Sequence, residues 1–210
     1  MKNILLNNKL AYDRFASEYS QRKTYVNDNN INVIDIFYDF LQNGNPKSIL
    51  DVGVGSGLDL SIFNKKGLKT YGIDISKKMI KIAKTNSPNS TFYNGNFTDF
   101  NFTQKFSAIY AQAFIHLFPK NEVQKIFEKF YSITEPSGLI HFSTTIHNKP
   151  SEGWEEKSDY QDKVKRFRKR WTLNELNDFI EYQPCFSLVH QYTIKDPFKK
   201  KWINTIIKLK

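Results

Sequence analysis

The chain has 210 residues, of which 40% are hydrophobic and 25% charged, and its formal net charge is +10. This length and balance suit one folded domain, predicted over residues 1–210, and exclude a disordered chain. No apolar run is long enough to cross a membrane, no signal-peptide pattern is present, and the single cysteine excludes an internal disulfide. We therefore expect a cytoplasmic protein without membrane contacts.

Helices and strands are predicted to alternate along most of the chain. Apolar residues recur at helical spacing in residues 8–22 and 31–43, and short apolar strands then alternate with helices of about ten residues. This alternation indicates crossover connections and a parallel sheet, whereas the last two strands should pair antiparallel. The fold class is thus α/β, with a doubly wound, seven-stranded, mostly parallel sheet and an antiparallel terminal strand pair. The predicted strands span residues 48–52, 69–74, 90–96, 105–112, 139–146, 185–194 and 201–209.

Residues 147–171 form an unusually long connection between a strand and a helix, and such connections are often lids or binding loops. Three of the five arginines of the chain lie here, Arg166, Arg168 and Arg170. In an extended chain they share one side, and the guanidinium group suits a carboxylate or phosphate. We expect this insert to contact an anionic substrate. The alternative is a solvated basic stretch balanced by nearby acidic residues.

The segment ILDVGVGSG, residues 49–57, places three glycines directly behind an apolar strand that ends in an acid. Such a turn lets the backbone approach a ligand closely, and the following helix presents free N–H groups. Leu58 stands where a dinucleotide-binding fingerprint has its third glycine, and no Lys-Ser/Thr pair follows. Dinucleotide binding is therefore disfavoured and a P-loop is excluded. Asp51 and Asp74 instead suit an ammonium group and a pair of ribose hydroxyls.

This glycine motif and the segments after it resemble the class I S-adenosylmethionine (SAM)-dependent methyltransferases of the small-molecule type. The matching segments, in the family's order, are YDRFASEYSQR, ILDVGVGSG, YGIDIS, NGNFTDF, FSAIYAQAFIHLF and RFRKRWT. The resemblance covers roughly residues 11–209 and implies a Rossmann-like fold. It also implies that SAM is the cofactor and S-adenosylhomocysteine (SAH) its product. Residues 1–44 would then form helices that cover the cofactor, and residues 147–171 would lie on the substrate side.

The resemblance further implies which residues contact each part of the cofactor. They are, for the methionine end, Asp51, Gly53, Gly55, Tyr19 and Arg22; for the sulfonium, Ala111 and Gln112; for the ribose, Asp74; and for the adenine, Ile75, Met79, Asn96 and Phe97. One departure is Asn96, because the family usually has an acid at this position. An asparagine carbonyl can still accept a hydrogen bond from the adenine amino group.

Methyl transfer from a sulfonium is an in-line displacement, and a base is needed only when the acceptor must lose a proton. His116, after the fourth strand, and His147, after the fifth, are the candidate catalytic bases, and Tyr12 is a candidate substrate contact. Each of the three could instead be structural. No cluster of His, Cys or carboxylate residues has the spacing of metal ligands, so we expect no metal.

We expect an enzyme that methylates oxygen or nitrogen of a small, anionic metabolite that is phosphorylated, nucleotide-linked or a carboxylate. Tailoring of bacterial surface sugars or secondary metabolites would fit. An RNA methyltransferase is one alternative; the net charge favours it, but the fourth strand lacks the Asn/Asp-Pro-Pro-aromatic motif of base-amine methylation. A non-catalytic SAM-binding module is the other. The protein is expected to be a monomer or a homodimer, with nucleic acid an unlikely partner.

Overall fold

A computed structural model describes residues 1–29, 33–157 and 163–210 of the protein. Within these ranges the strands are β1 Ser48–Val52, β2 Lys69–Asp74, β3 Thr91–Asn94, β4 Phe106–Ala111, β5 Thr134–Thr145, β6 Ser151–Lys157, β7 Val164–Arg170, β8 Phe186–Lys195 and β9 Lys201–Leu209. The helices are α1 Lys2–Arg14, α2 Ala16–Asn29, α3 Val33–Gln42, α4 Leu58–Lys65, α5 Lys77–Asn86, α6 Lys120–Ile133 and α7 Leu173–Glu181. Residues 31–32 of the second predicted helix and residues 158–162 of the insert lie outside the described ranges.

Seven strands form one sheet in the order β3-β2-β1-β4-β5-β9-β8. Strands β1 to β5 pair in parallel, whereas β9 pairs antiparallel with both β5 and β8. The order turns back at β1 and β4, which is where ligands bind in sheets of this kind. The predicted α/β class and the antiparallel terminal pair are thus confirmed.

Both faces of the sheet are covered by helices, so neighbouring strand residues enter different cores. Ile49 packs with side chains of α3 and α4, whereas Leu50 packs with side chains of α6 and α7. Every residue of β1 is buried. A strand buried on both faces has a continuous apolar sequence rather than an alternating one, which is why β1 and β4 could be located from the sequence.

The single helix predicted over residues 8–22 is two helices, α1 and α2, that meet at Phe15. The backbone leaves the helical region at Phe15, with φ −102° and ψ 23°. The Phe15 ring is 2% exposed and packs with Ala11 and Tyr12 in a small separate cluster. The spacing of apolar residues continues across the break, so the sequence pattern did not reveal it.

The predicted insert contains a two-stranded antiparallel hairpin, β6 and β7, outside the main sheet. Trp154 lies opposite Phe167 in its register, and Glu155 lies opposite Arg166. The ends of the insert are held together where the His147 N–H donates to the Trp171 carbonyl at 2.8 Å. Strand β7 packs against α1. The hairpin therefore borders the N-terminal helices.

Membrane-crossing helices are absent from the described part of the chain, because none of its helices combines sufficient length with sufficient apolar character.

We predict that Gly57→Ala destabilises the fold much more than Gly67→Ala. Both glycines have left-handed backbone, with φ +74° and φ +88°, so both substitutions should cost about 1–2 kcal/mol in strain. A Cβ at Gly57 would also lie 2.8 Å from the Ala83 Cβ, whereas a Cβ at Gly67 has open space around it. Forcing α5 away should add about 1–3 kcal/mol. Urea denaturation of both variants measures the difference, and equal losses would contradict this packing.

Candidate functional site

A cavity opens beyond the carboxyl ends of β1, β2 and β4. The glycine turn after β1 and the segments after β2, β3 and β4 form its floor and walls, and α1 and α2 form its roof. Its lining residues are Leu5, Asn8, Tyr12, Tyr19, Gly53, Gly55, Asp74, Ile75, Gly95, Asn96, Phe97, Gln112, Ala113, Phe114, Leu117 and Phe118.

The glycine turn brings backbone to the cavity and leaves room for two aromatic rings. Gly53 and Gly55 have φ +74° and φ +52°. A Cβ at Gly53 would lie 2.7 Å from the Phe114 ring, and a Cβ at Gly55 would lie 3.0 Å from the Tyr19 ring. Side chains at these positions would therefore displace the aromatic walls, which explains the two glycines in terms of both conformation and space.

Asp74 ends β2 and faces the cavity with its carboxylate held by backbone donors. The Gly55 N–H donates to its Oδ2 at 3.0 Å, and the Ser76 N–H donates to its Oδ1 at 2.8 Å. Burial raises the pKa of Asp74 to about 6, although these hydrogen bonds act in the opposite direction. Each oxygen keeps a further lone pair, so the carboxylate can accept a pair of hydroxyl groups.

A second, smaller cavity adjoins the first and contains a buried charged corner. It is bordered by Asp51, Asp59 and Lys23, together with Tyr19 and other residues of the first cavity. Lys23 Nζ lies 2.9 Å from Asp59 Oδ2. Burial, and then the neighbouring Asp59, raise the pKa of Asp51 well above its ordinary value. Two carboxylates beside one ammonium group favour a cationic ligand at this corner.

Gln112, directly after β4, borders both cavities. Its Oε1 accepts a hydrogen bond from the Tyr110 hydroxyl. Burial raises the pKa of Tyr110 well above its ordinary value, so this hydroxyl keeps its proton and remains a donor. The Gln112 amide therefore has its N–H groups left for a ligand.

Asn96, in the segment after β3, presents an acceptor to the cavity. Its Nδ2 donates to Thr98 Oγ1 at 2.8 Å and to Asp99 Oδ2 at 2.8 Å. Because a carboxylate accepts hydrogen bonds only, this contact fixes the orientation of the amide. The Asn96 Oδ1 remains as an acceptor, next to the apolar side chains of Ile75 and Phe97.

The roof is fastened to the floor by polar contacts of α1. Asp13 Oδ1 accepts from the Ser76 hydroxyl at 2.6 Å, and its Oδ2 lies 2.6 Å from Lys9 Nζ. Ser76 also caps α5, since its Oγ accepts from the Met79 N–H at 3.1 Å. The helix that covers the cavity is therefore tied to the residue that follows Asp74 by two positions.

Strand β7 directs two arginines toward this roof. Arg166 Nη1 donates to the Tyr12 hydroxyl at 2.9 Å, and Arg168 Nη2 donates to Thr145 Oγ1 at 2.8 Å. Thr145 Oγ1 is also 3.0 Å from His147 Nε2. Burial, and then the neighbouring Arg166, lower the pKa of Arg168. Among the described residues neither Arg166 nor Arg168 forms an ion pair.

Eight residues expected at the site do not line either cavity: Arg22, Met79, Ala111, His116, His147, Arg166, Arg168 and Arg170. Met79 and Ala111 are fully buried. The Arg22 guanidinium lies 3.9 Å from the centre of the Phe198 ring, and the buried His116 ring lies 5.9 Å from that of Trp202.

Other predicted residues lie at the periphery of the site. Arg170 Nε pairs with Glu155 Oε1 at 2.8 Å on the hairpin. The pKa of His147 is lowered by burial and by Arg168, which keeps its imidazole neutral at pH 7. Groups of three or more potential metal ligands are absent from residues 1–29, 33–157 and 163–210.

Lys23 and Asn8 were not recognised from the sequence. Lys23 follows Tyr19 by four positions, so the two share one face of α2, and this helical spacing could have indicated it. Asn8 precedes Tyr12 by the same interval, but a single asparagine among several in α1 carries no comparable signal.

We predict that the buried charge of Asp74 makes the free protein less stable as the pH rises. The pKa of Asp74 is about 6 in the folded protein against 3.8 when exposed, so the folded state binds more protons between these values. The free energy of unfolding must then fall from about pH 4 to pH 6. In Asp74→Asn this contribution disappears, so the stability of the variant relative to wild type should rise by roughly 3 kcal/mol across that window.

Urea denaturation at a series of pH values measures this difference. Asp35→Asn is the matched control, because Asp35 lies on α3, is exposed, and forms an ion pair with Lys66. A relative stability of Asp74→Asn that does not change with pH would contradict the raised pKa.

Comparison with known proteins agrees with this architecture. Residues 49–138, from the glycine turn to the start of β5, match the family model described as a methyltransferase domain. An uncharacterized methyltransferase from Alkaliphilus oremlandii is 24% identical over 199 residues, which is 92% of this chain and 90% of that protein. The dTDP-3-amino-3,4,6-trideoxy-α-D-glucopyranose N,N-dimethyltransferase of Streptomyces venezuelae is 30% identical over 95 residues, and the match spans 44% of this chain and 40% of that protein.

The fold is also that of a solved structure. The complex of DhpI with SAH superposes with a TM-score of 0.76 at 15% identity, covering 100% of this chain and 98% of the other. At this identity the likeness concerns the fold. It extends beyond the matched domain, however, to the N-terminal helices, the hairpin and the terminal strand pair. With the domain match and the relative that covers nearly the whole chain, it agrees with the family indicated by the sequence motifs. Residues 49–138 are thus similar to a methyltransferase domain, and the fold is similar to that of solved SAM-dependent methyltransferases such as the one from Clostridium acetobutylicum, which superposes with a TM-score of 0.69 at 12% identity over 95% of this chain and 99% of the other.

Proposed function

We propose that the protein transfers the methyl group of SAM to an oxygen or nitrogen of a small, anionic metabolite. The observation that carries this proposal is the arrangement of the cavity. A carboxylate suited to two hydroxyls lies between an apolar slot with one amide acceptor and a corner with net negative charge. In SAM the ribose lies between the adenine and the methionine ammonium group. The ribose hydroxyls match the carboxylate, the adenine matches the apolar slot, and the ammonium group matches the charged corner.

The cofactor would lie across the carboxyl edge of the sheet. Asp74 would accept the ribose hydroxyls, and Asn96 Oδ1 would accept from the adenine amino group. The methionine ammonium group would meet Asp51, whose raised pKa falls when a cation binds beside it. The N–H groups of Gln112, which borders both cavities, would lie near the reacting end.

The acceptor would bind beside β7, where Arg168 and Arg166 approach the roof. Arg166 is 6% exposed and Arg168 is half-buried, and in the described chain each donates to a neutral hydroxyl rather than to a carboxylate. A buried cation without a counter-ion is costly, and an anionic ligand would supply one. The Streptomyces venezuelae relative is named for a dTDP-linked amino sugar. We therefore propose a phosphorylated or nucleotide-linked acceptor over a simple carboxylate.

The chemistry would need little more than alignment. Holding a sulfonium and an acceptor in line accounts for a large part of the rate of such a transfer. An amine acceptor needs only to be neutral, whereas a hydroxyl acceptor must lose its proton. The neutral imidazole of His147 would be the base in that case, because Thr145 links it to Arg168. Both histidines lie outside the two cavities, but His116 is 2% exposed and packs beside Trp202, so it is not assigned a catalytic role.

The cofactor part of this proposal is tested by titrating the protein with SAH in a calorimeter. Wild type should bind with micromolar affinity, and Asp74→Asn and Asp51→Asn should each bind at least tenfold more weakly, since each loses a charged hydrogen bond. Asp35→Asn should bind like wild type. Absence of SAH binding to folded wild-type protein would overturn the proposed function.

The acceptor part is tested with pyrophosphate and dTDP as probes, in the presence of saturating SAH. Arg168→Gln should weaken binding of both probes roughly 10- to 100-fold, the value of a charged hydrogen bond. Arg170→Gln is the matched control on the same strand, because its guanidinium already pairs with Glu155 and is half-exposed. It should change the affinity less than about threefold. Equal effects of the two variants, or no binding of either probe, would contradict an anionic acceptor at this position.

A further inference from the structure

Asn8, on α1, carries a buried acceptor that nothing in the described chain satisfies. Its side chain is 4% exposed and lines the main cavity. Its Nδ2 donates to the Leu117 carbonyl at 3.2 Å, whereas its Oδ1 has no hydrogen-bond partner among the described residues. A buried oxygen without a hydrogen-bond donor is unfavourable. Beside a cavity that binds a ligand, it marks a place where a donor group of the ligand fits.

The orientation of this amide is fixed by its anchor. The Leu117 carbonyl can only accept a hydrogen bond, so the nitrogen of Asn8 must face it. The oxygen is then the atom left to accept a hydrogen bond from a ligand. A ligand group that meets Asn8 here must therefore be a donor, such as an amino or hydroxyl group.

The position of Asn8 along the cavity indicates which end of the ligand it meets. Leu5, one turn earlier in α1, also borders a surface groove together with Asn96. Tyr19 instead borders the charged corner with Asp51. With a rise of about 1.5 Å per residue, Asn8 lies only about 4.5 Å along the axis from Leu5. It therefore belongs to the end of the cavity that holds Asn96, away from the charged corner.

We propose that Asn8 Oδ1 accepts a hydrogen bond from the exocyclic amino group of adenine, opposite the bond to Asn96 Oδ1. The inference rests on the cofactor placement of the proposed function. The amino group of adenine has two N–H donors, and the two amide oxygens supply one acceptor for each. A 6-oxo purine would instead bring a carbonyl oxygen against two oxygens. Asn8 thus makes the roof helix a determinant of nucleobase specificity.

The test compares SAH with its 6-oxo analogue, S-inosylhomocysteine, by calorimetry on wild type and Asn8→Leu. Wild type should prefer SAH strongly. In Asn8→Leu this preference should fall about tenfold, because SAH loses one hydrogen bond while the 6-oxo analogue loses a repulsion. Leu5→Ala is the matched control on the same helix. It should weaken both ligands equally, since it removes only apolar contact.

A second measurement uses wild-type protein and does not depend on the variant folding. The N6-methyl derivative of SAH has one N–H on its amino group, so it should bind at least tenfold more weakly than SAH if both donors are used. Full affinity for this derivative, or an unchanged preference in Asn8→Leu, would overturn the inference. If Asn8→Leu instead weakened binding of the methyl acceptor and left the nucleobase preference unchanged, Asn8 Oδ1 would contact the acceptor, and the inference would be overturned too. Absence of SAH binding to wild type would count instead against the proposed function.

Discussion

The site depends on one half-buried carboxylate, that of Asp74, and on the backbone groups that hold it. Its two oxygens accept from Gly55 and Ser76, which joins the glycine turn after β1 to the N-terminus of α5. The hydroxyl of Ser76 then donates to Asp13 on the roof helix. Floor, wall and roof are thus linked by three consecutive hydrogen bonds. The position of this carboxylate is therefore tied by hydrogen bonds to the glycine turn, to the start of α5 and, through Ser76, to α1.

The free protein bears an electrostatic cost for this arrangement. Asp51 is buried and Asp74 is half-buried, both have raised pKa values, and Asp59 adds a further negative charge that Lys23 offsets. Buried carboxylates without full compensation are a common feature of functional sites, because the structure around them provides the stability that they remove. A ligand with a cation at one end and hydroxyl donors in the middle would compensate the charges of both Asp51 and Asp74. Binding would therefore stabilise the fold as well as fill the cavity.

The sheet was predictable from the sequence, whereas the exact faces of the N-terminal helices were not. Strands buried on both faces form continuous apolar runs, and the glycine motif marks the ligand edge. Arg22 and Lys23 follow Tyr19 by three and four positions, and both spacings can share its face. The tertiary contact with Phe198 draws Arg22 away, which leaves Lys23 at the charged corner. Strand β6 has no alternation of apolar and polar residues that would indicate a strand. It is held by pairing with β7 rather than by a buried face.

Helix α1 links the main cavity to the arginines of β7. The ring of Tyr12 lines the cavity, while its hydroxyl accepts from Arg166 on the hairpin. Asn8 and Asp13, on the same helix, fasten it to the segments after β4 and β2. Because the helix is fastened at three places, a displacement near Asn8 should also shift Tyr12 and the guanidinium group that contacts it. The main cavity, where we propose that the methyl donor binds, and the proposed place for the acceptor are therefore joined through α1.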